Sequence, residues 1–141
     1  MKTLTISNEK VAIGTNVIIY AIENQDSKKS DISLELLRMR PYVSNQAIAE
    51  SINVLKRLYK NNNELCILKI LQLLKQCRLI INNEDIYYSA KYLMKKYKFG
   101  LYDSIIVANA LLENCTVLYT EDMYEVLIEK KMKIINPFSN L

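Results

Sequence analysis

Short apolar runs alternate along this chain with longer stretches whose apolar residues recur at helical spacing. Val11 to Ile13, Pro41 to Ser44, Leu79 to Ile81, Thr116 to Tyr119 and Lys133 to Ile135 are the short runs, and their length predicts strands. Between them the spacing predicts helices over Val17 to Ile22, Asp31 to Met39 after the candidate cap Ser30, and Gln46 to Tyr59 after the candidate caps Ser44 and Asn45. Three more follow: Glu64 to Gln76, with Leu65, Leu68, Leu71 and Leu74 at helical spacing; Glu84 to Tyr97, with a Lys-rich face; and Asp103 to Glu113, mostly apolar. The Asn61 to Asn63 run reads as a turn that ends one helix and caps the next. This rhythm predicts the α/β class, with a central parallel sheet of four or five strands covered by helices on both faces. In such sheets ligands gather beyond the carboxyl ends of the strands, near the switch in strand order.

With 141 residues and no linker or repeat, the chain is expected to form a single domain over 1–141. The opening stretch Met1 to Lys10 is polar, and no apolar run reaches the roughly 18 residues of a membrane span, so a cytosolic location is expected. Cys66, Cys77 and Cys115 are widely spaced and form no CxxC pair, which points to core thiols.

Two absences restrict the chemistry. The chain contains no histidine, which excludes a Ser-His-Asp or Cys-His relay and leaves carboxylates, Lys or Tyr for acid–base work. It contains two glycines, Gly14 and Gly100, and so has neither a Walker loop nor a GxGxxG turn to cradle a pyrophosphate. A net charge of +4, from 19 basic and 15 acidic residues, mildly favours a polyanionic partner.

Three carboxylates stand where chemistry is expected. Asp122 lies just past the run Thr116 to Tyr119, at the carboxyl edge of that strand. Asp103 opens a helix too apolar to be a solvated surface helix, and Glu50 lies at helical spacing from Ala47 and Val54. Burying such groups is costly unless something positive meets them, which a divalent cation does for several acids at once. Each also has an ordinary explanation: Asp103 as a helix cap or dipole partner, Glu50 in solvent or paired with Lys56 or Arg57, Asp122 as a turn residue. Glu121 is expected to face away from Asp122 into solvent.

Taken together, these segments resemble the PIN-domain family, especially bacterial VapC-type toxins, over nearly the whole chain. The family opens with an apolar strand followed by Asp-Thr-Asn-Val; here the stretch reads Val11-Ala12-Ile13-Gly14-Thr15-Asn16-Val17, and only the acid is missing. The family's second acid resembles Glu50 in Val43-Ser44-Asn45-Gln46-Ala47-Ile48-Ala49-Glu50, its third Asp103 in Tyr102-Asp103-Ser104-Ile105-Ile106, and its last Asp122 in Leu118-Tyr119-Thr120-Glu121-Asp122. The ending Ile134-Ile135-Asn136-Pro137-Phe138 is also similar. The resemblance implies a three-layer α/β/α fold. It also implies a cluster of acids (Glu50, Asp103, Asp122) holding Mg²⁺ or Mn²⁺ for hydrolysis of an RNA phosphodiester, with Thr15 and Thr120 in support. As partners it implies an RNA substrate, a cognate antitoxin and a second copy in a homodimer.

Gly14 stands at the vacated acid position, so weak or absent cleavage is expected. A change selected against toxicity, a deliberate inactivation and a naturally degenerate member all fit the residue, as does a turn needing positive φ. Two other functions stay open: a non-catalytic module of the same family that binds RNA or protein, and a structure-specific DNA nuclease. Lys91, Lys95, Lys96 and Lys98, with Lys56, Arg57, Lys60, Arg38 and Arg40, are candidate phosphate contacts. Tyr87, Tyr88, Tyr92 and Tyr97 are candidates for base stacking, with core packing expected for most.

Overall fold

The computed structural model describes residues 9–23 and 27–141; most of the polar opening stretch lies outside them. The central strand β1 (Val11–Ile13) is followed by helices α1 (Thr15–Glu23) and α2 (Ser27–Leu37), then β2 (Tyr42–Val43), α3 (Asn45–Leu58) and α4 (Asn63–Leu74). The second half runs β3 (Arg78–Leu79), α5 (Asp85–Tyr97), α6 (Leu101–Leu112), β4 (Val117–Tyr119), β5 (Val126–Ile128) and β6 (Met132–Ile135). Every predicted strand and helix is found, with ends shifted by a few residues.

The sheet has six strands in the order β3-β2-β1-β4-β6-β5. β1 pairs in parallel with β2 and β4, β2 with β3, and β4 with β6. β3, β2, β1, β4 and β6 form the expected parallel sheet, and β5 adds an antiparallel sixth strand at the β6 edge that was not expected. Its turn explains why it is hard to foresee. Glu129 and Lys130 both have positive φ, at 49° and 57°, and Lys131 N–H donates to Ile128 O at 2.8 Å, so the hairpin uses the primed geometry that Asn-Gly normally signals. Tertiary contacts hold it instead: Glu129 N–H donates to Tyr97 Oη at 2.9 Å, and Lys96 Nζ meets Glu129 Oε2 at 2.6 Å. Lys130→Gly is therefore expected to raise stability by up to about 1 kcal/mol in chemical denaturation, since left-handed backbone costs a non-glycine residue about 1–2 kcal/mol.

Local chemistry sets most helix ends. Ser44 Oγ accepts from Ala47 N–H at 3.0 Å to start α3, and Asn62 Oδ1 accepts from Leu65 N–H at 3.1 Å to start α4. Asn61, at φ 65°, turns the chain between them as expected. Ser30 is not a cap; α2 begins earlier, and Ser30 lies buried within it.

The core lies where both sheet faces meet the helices: Ile13, Ile18, Val43, Leu93, Val107, Leu118 and Ile134 are all buried. Cys66, Cys77 and Cys115 are buried free thiols, and burial pushes Cys77 and Cys115 up to about 12. No helix among the described residues is long and apolar enough to cross a membrane.

Candidate functional site

The strand order reverses at β1. From there the chain moves outward through β2 and β3, then returns to β4 on the opposite side. The crevice at the carboxyl ends of β1 and β4 is thus the position where a doubly wound sheet collects ligands. Gly14 and Asp122 flank it: Gly14 N–H donates to Tyr119 O at 2.9 Å, so the end of β1 is tied to the end of β4.

Gly14 does not have positive φ, so the backbone does not require a glycine there. Its surroundings are close all the same. A Cβ at this position would meet Thr120 Oγ1 at 3.1 Å and Thr120 Cβ at 3.2 Å, in a region where Thr120 is only 2% exposed.

Glu50 projects from α3 with both carboxylate oxygens engaged. Thr15 Oγ1 donates to Oε1 at 3.4 Å, and Gln46 Nε2, one turn earlier on the helix, donates to Oε2 at 3.1 Å. Asp103 lies in the first turn of α6, and its half-buried carboxyl is raised above its ordinary value, first by burial and then by the charges of Glu50 and Asp122. The charges of Glu50 and Asp122 thus both reach Asp103. Asp122 is exposed as a residue, but its carboxyl rests against protein on one side. Partial burial and then Glu121 raise it, against a bond from Asn16 that lowers it.

The structure corrects the expectation for Glu121. It is not solvated but sits in a network beside Asp122. Asn16 Nδ2 donates to Glu121 Oε1 at 3.1 Å and to Asp122 Oδ1 at 2.9 Å; Tyr20 Oη donates to Glu121 Oε1, and Lys29 Nζ pairs with Oε2 at 3.0 Å. Burial works against the Glu121 charge, yet the bonds from Tyr20, Lys29 and Asn16 hold its pKa below the ordinary value. Thr120 Oγ1 accepts from Asp122 N–H at 3.3 Å. Asn16 and Lys29 are the residues that sequence reasoning missed. Asn16 carried a signal, since it follows Thr15 in the motif; Lys29, far along the chain in α2, carried none.

The donor set suits a hard cation in kind. Oxygen donors are what such a cation takes, and Asp103 is perturbed by burial and by the like charges of Glu50 and Asp122. The set is short in number: among the described residues no group of three His, Cys, Asp or Glu side chains is placed to hold a metal ion as it stands.

The electrostatics imply a stability effect. Because the folded pKa of Asp103 lies above the ordinary 3.8, the folded state holds more protons between those two values, and stability declines as pH rises through that window. Asp103→Asn, which removes the charge, is expected to raise Tm at pH 7 by on the order of 1–3 °C and to flatten that decline; melting curves across pH check it.

Residues 11–124 match the family described as PIN domain. No curated protein matches the chain. Among solved structures, VapBC-1 from nontypeable Haemophilus influenzae is similar at 26% identity and a TM-score of 0.58, over 79% of this chain and 86% of that chain. A toxin–antitoxin complex from Klebsiella pneumoniae is similar at 19% identity and a TM-score of 0.66, over 92% and 98%. Mycobacterium tuberculosis VapC20, described as a sarcin–ricin loop cleaving toxin, is similar at 14% and 0.63, over 80% and 90%. The latter two likenesses are of fold.

Proposed function

This chain belongs to the PIN-domain family, and on that premise we propose that it is the toxin of a type II toxin–antitoxin pair, an endoribonuclease held inactive or weakened by Gly14. VapC-type PIN domains are nucleases, and PIN-domain nucleases generally use divalent metal ions. What supports the reading is the family match over residues 11–124, together with the charges of Glu50 and Asp122 that act on the half-buried Asp103 carboxyl.

Glu50, Asp103 and Asp122 would hold Mg²⁺ or Mn²⁺, which when bound activates water and neutralises charge on the departing oxygen of an RNA phosphodiester. The chain's own work is orientation. Thr15 and Gln46 fix the Glu50 carboxylate, and Asn16 ties Asp122 to the buried end of Glu121. Lys29 pairs with Glu121 and offsets part of its charge, the remainder of which still raises Asp122. The reaction adds water at phosphorus and breaks one P–O bond, leaving a phosphate end and a hydroxyl end. Its place is the cytoplasm, with a cognate antitoxin as inhibitor and a second copy of the chain as dimer partner.

A second reading is a PIN module that binds RNA or protein without cutting. The absence of a ready three-carboxylate set among the described residues favours it. Growth separates the two. Expression of Gly14→Asp in a bacterial host is expected to slow growth and degrade RNA, and an antitoxin encoded beside the gene is expected to relieve this. Unchanged growth with intact RNA, from a variant shown to fold, would leave the non-catalytic reading.

A further inference from the structure

Helix α5 carries most of its tyrosines on the outside. Tyr87, Tyr88 and Tyr92 are 56%, 70% and 52% exposed, against the expectation of core packing, while Ile86, Ala90 and Leu93 fill the buried side. Of the four, Tyr97 packs against the core. Helical geometry arranges the outer face: Tyr88 and Tyr92 lie one turn apart, and Lys91 and Lys95, also one turn apart, lie between Tyr87 and Tyr88 around the helix. Tyr87, Tyr88 and Lys91, with Glu84, line a shallow groove of about 310 Å³.

The charge on this face is organised along the helix. Lys91, Lys95 and Lys98 are exposed, and among the described residues no carboxylate pairs with Lys91 or Lys95. Lys96 lies 5.5 Å from the centre of the Tyr92 ring and pairs with Glu129. The acids of the helix, Glu84 and Asp85, stand at its N-terminal end. The other end leads to the site. Past Lys98 the chain enters α6 through Leu101 and Tyr102, 56% and 57% exposed, directly before Asp103. Tyr124, two residues beyond Asp122, donates from Oη to Tyr97 O at 2.7 Å and lies 5.5 Å from the Phe99 ring, which clamps the end of α5 to the segment after Asp122.

We infer that the outer face of α5 docks single-stranded RNA beside the cleavage site, with Tyr88 and Tyr92 stacking on bases and Lys91 and Lys95 meeting phosphates. A row of exposed aromatic rings beside a row of exposed lysines suits a single strand, whose bases lie along one side and whose phosphates lie along the other. Protein interfaces take up tyrosine but are depleted of lysine, which disfavours a protein occupant. The inference deepens the ribonuclease reading and rests on it for the identity of the strand.

The test is fluorescence anisotropy of a labelled single-stranded RNA oligonucleotide with the full chain, Gly14 in place, in EDTA so that binding is read without cleavage. The parent is expected to bind, Tyr88→Ala/Tyr92→Ala to bind at least about tenfold more weakly, and Tyr88→Phe/Tyr92→Phe to match the parent. Lys91→Gln/Lys95→Gln is expected to reduce the slope of log affinity against log salt by about 1.4, at about 0.7 per phosphate. A parent that binds no RNA overturns the inference. So do alanine variants that bind like the parent, including any that instead dissociate a dimer in sedimentation, which would mark α5 as a protein interface. The two readings fail separately. If the alanine variants lose RNA while Gly14→Asp cuts nothing, docking stands without the nuclease. If Gly14→Asp cuts RNA and the α5 variants bind and cut equally well, docking alone falls.

Discussion

Gly14→Asp is expected to increase Mg²⁺- or Mn²⁺-dependent RNA cleavage at least about 100-fold over the parent, and EDTA is expected to abolish it. Loss of a residue that merely supports a metal ligand costs about 10–100-fold, so regaining a ligand itself should exceed that. On the proposed reading, the new carboxylate would join Glu50, Asp103 and Asp122 as a further oxygen donor at the end of β1, where Gly14 is tied to Tyr119 at the end of β4. Sterics oppose the change to a limited degree. The added Cβ stands 3.1 Å from Thr120 Oγ1, so a buried side chain must give by a few tenths of an ångström. Overpacking of that kind costs about 1–3 kcal/mol, and the reduced freedom of the unfolded chain returns about 0.4–1 kcal/mol. The remainder is small beside a domain stability of about 5–15 kcal/mol, so the variant should fold. Gly14→Ala carries the same Cβ without the charge and is the control: it should fold as well and cut nothing. If Gly14→Asp matches Gly14→Ala in an RNA cleavage assay, the toxin reading fails.

Leu118→Ala is expected to be the most damaging single change to stability, costing about 2–5 kcal/mol, a large fraction of the total. Leu118 is fully buried at the centre of β4, where it stands opposite Ala12 of β1 and Ile134 of β6. Truncation leaves a cavity between the sheet and the helices packed on that face, which close packing prevents from collapsing. The next residue, Tyr119, accepts the Gly14 N–H that joins β1 to β4, so the loosened strand is the one that carries Asp122. Urea unfolding should show a lower midpoint with an unchanged m-value. Leu127→Ala, on the edge strand where Leu127 is 49% exposed, should cost well under half as much. Equal costs would mean that the core is not centred on β4.

The sequence by itself determined what depends on neighbours along the chain. Apolar period and side-chain caps placed the strands and helices, because Ser44 and Asn62 bond backbone only three residues away. The position of Asp122 after β4 and of Asp103 at the start of α6 followed from those elements. The outward tyrosines of α5 were expected in the core, although they fall off the stripe formed by Ile86, Ala90 and Leu93.

Tertiary structure alone decided the rest. That β1 lies between β2 and β4, and so brings Gly14 to Asp122, is a pairing between segments about a hundred residues apart, which no local period encodes. The hairpin of β5 uses Glu129 and Lys130 in a left-handed turn because Tyr97 and Lys96 hold it from α5. Glu121 turns inward because β4 has already ended at Tyr119 and strand alternation no longer governs its direction, while Tyr20, Lys29 and Asn16 together offset the cost of burying its charge. Those three partners come from two helices at the other end of the chain, and only folding brings them within hydrogen-bonding distance.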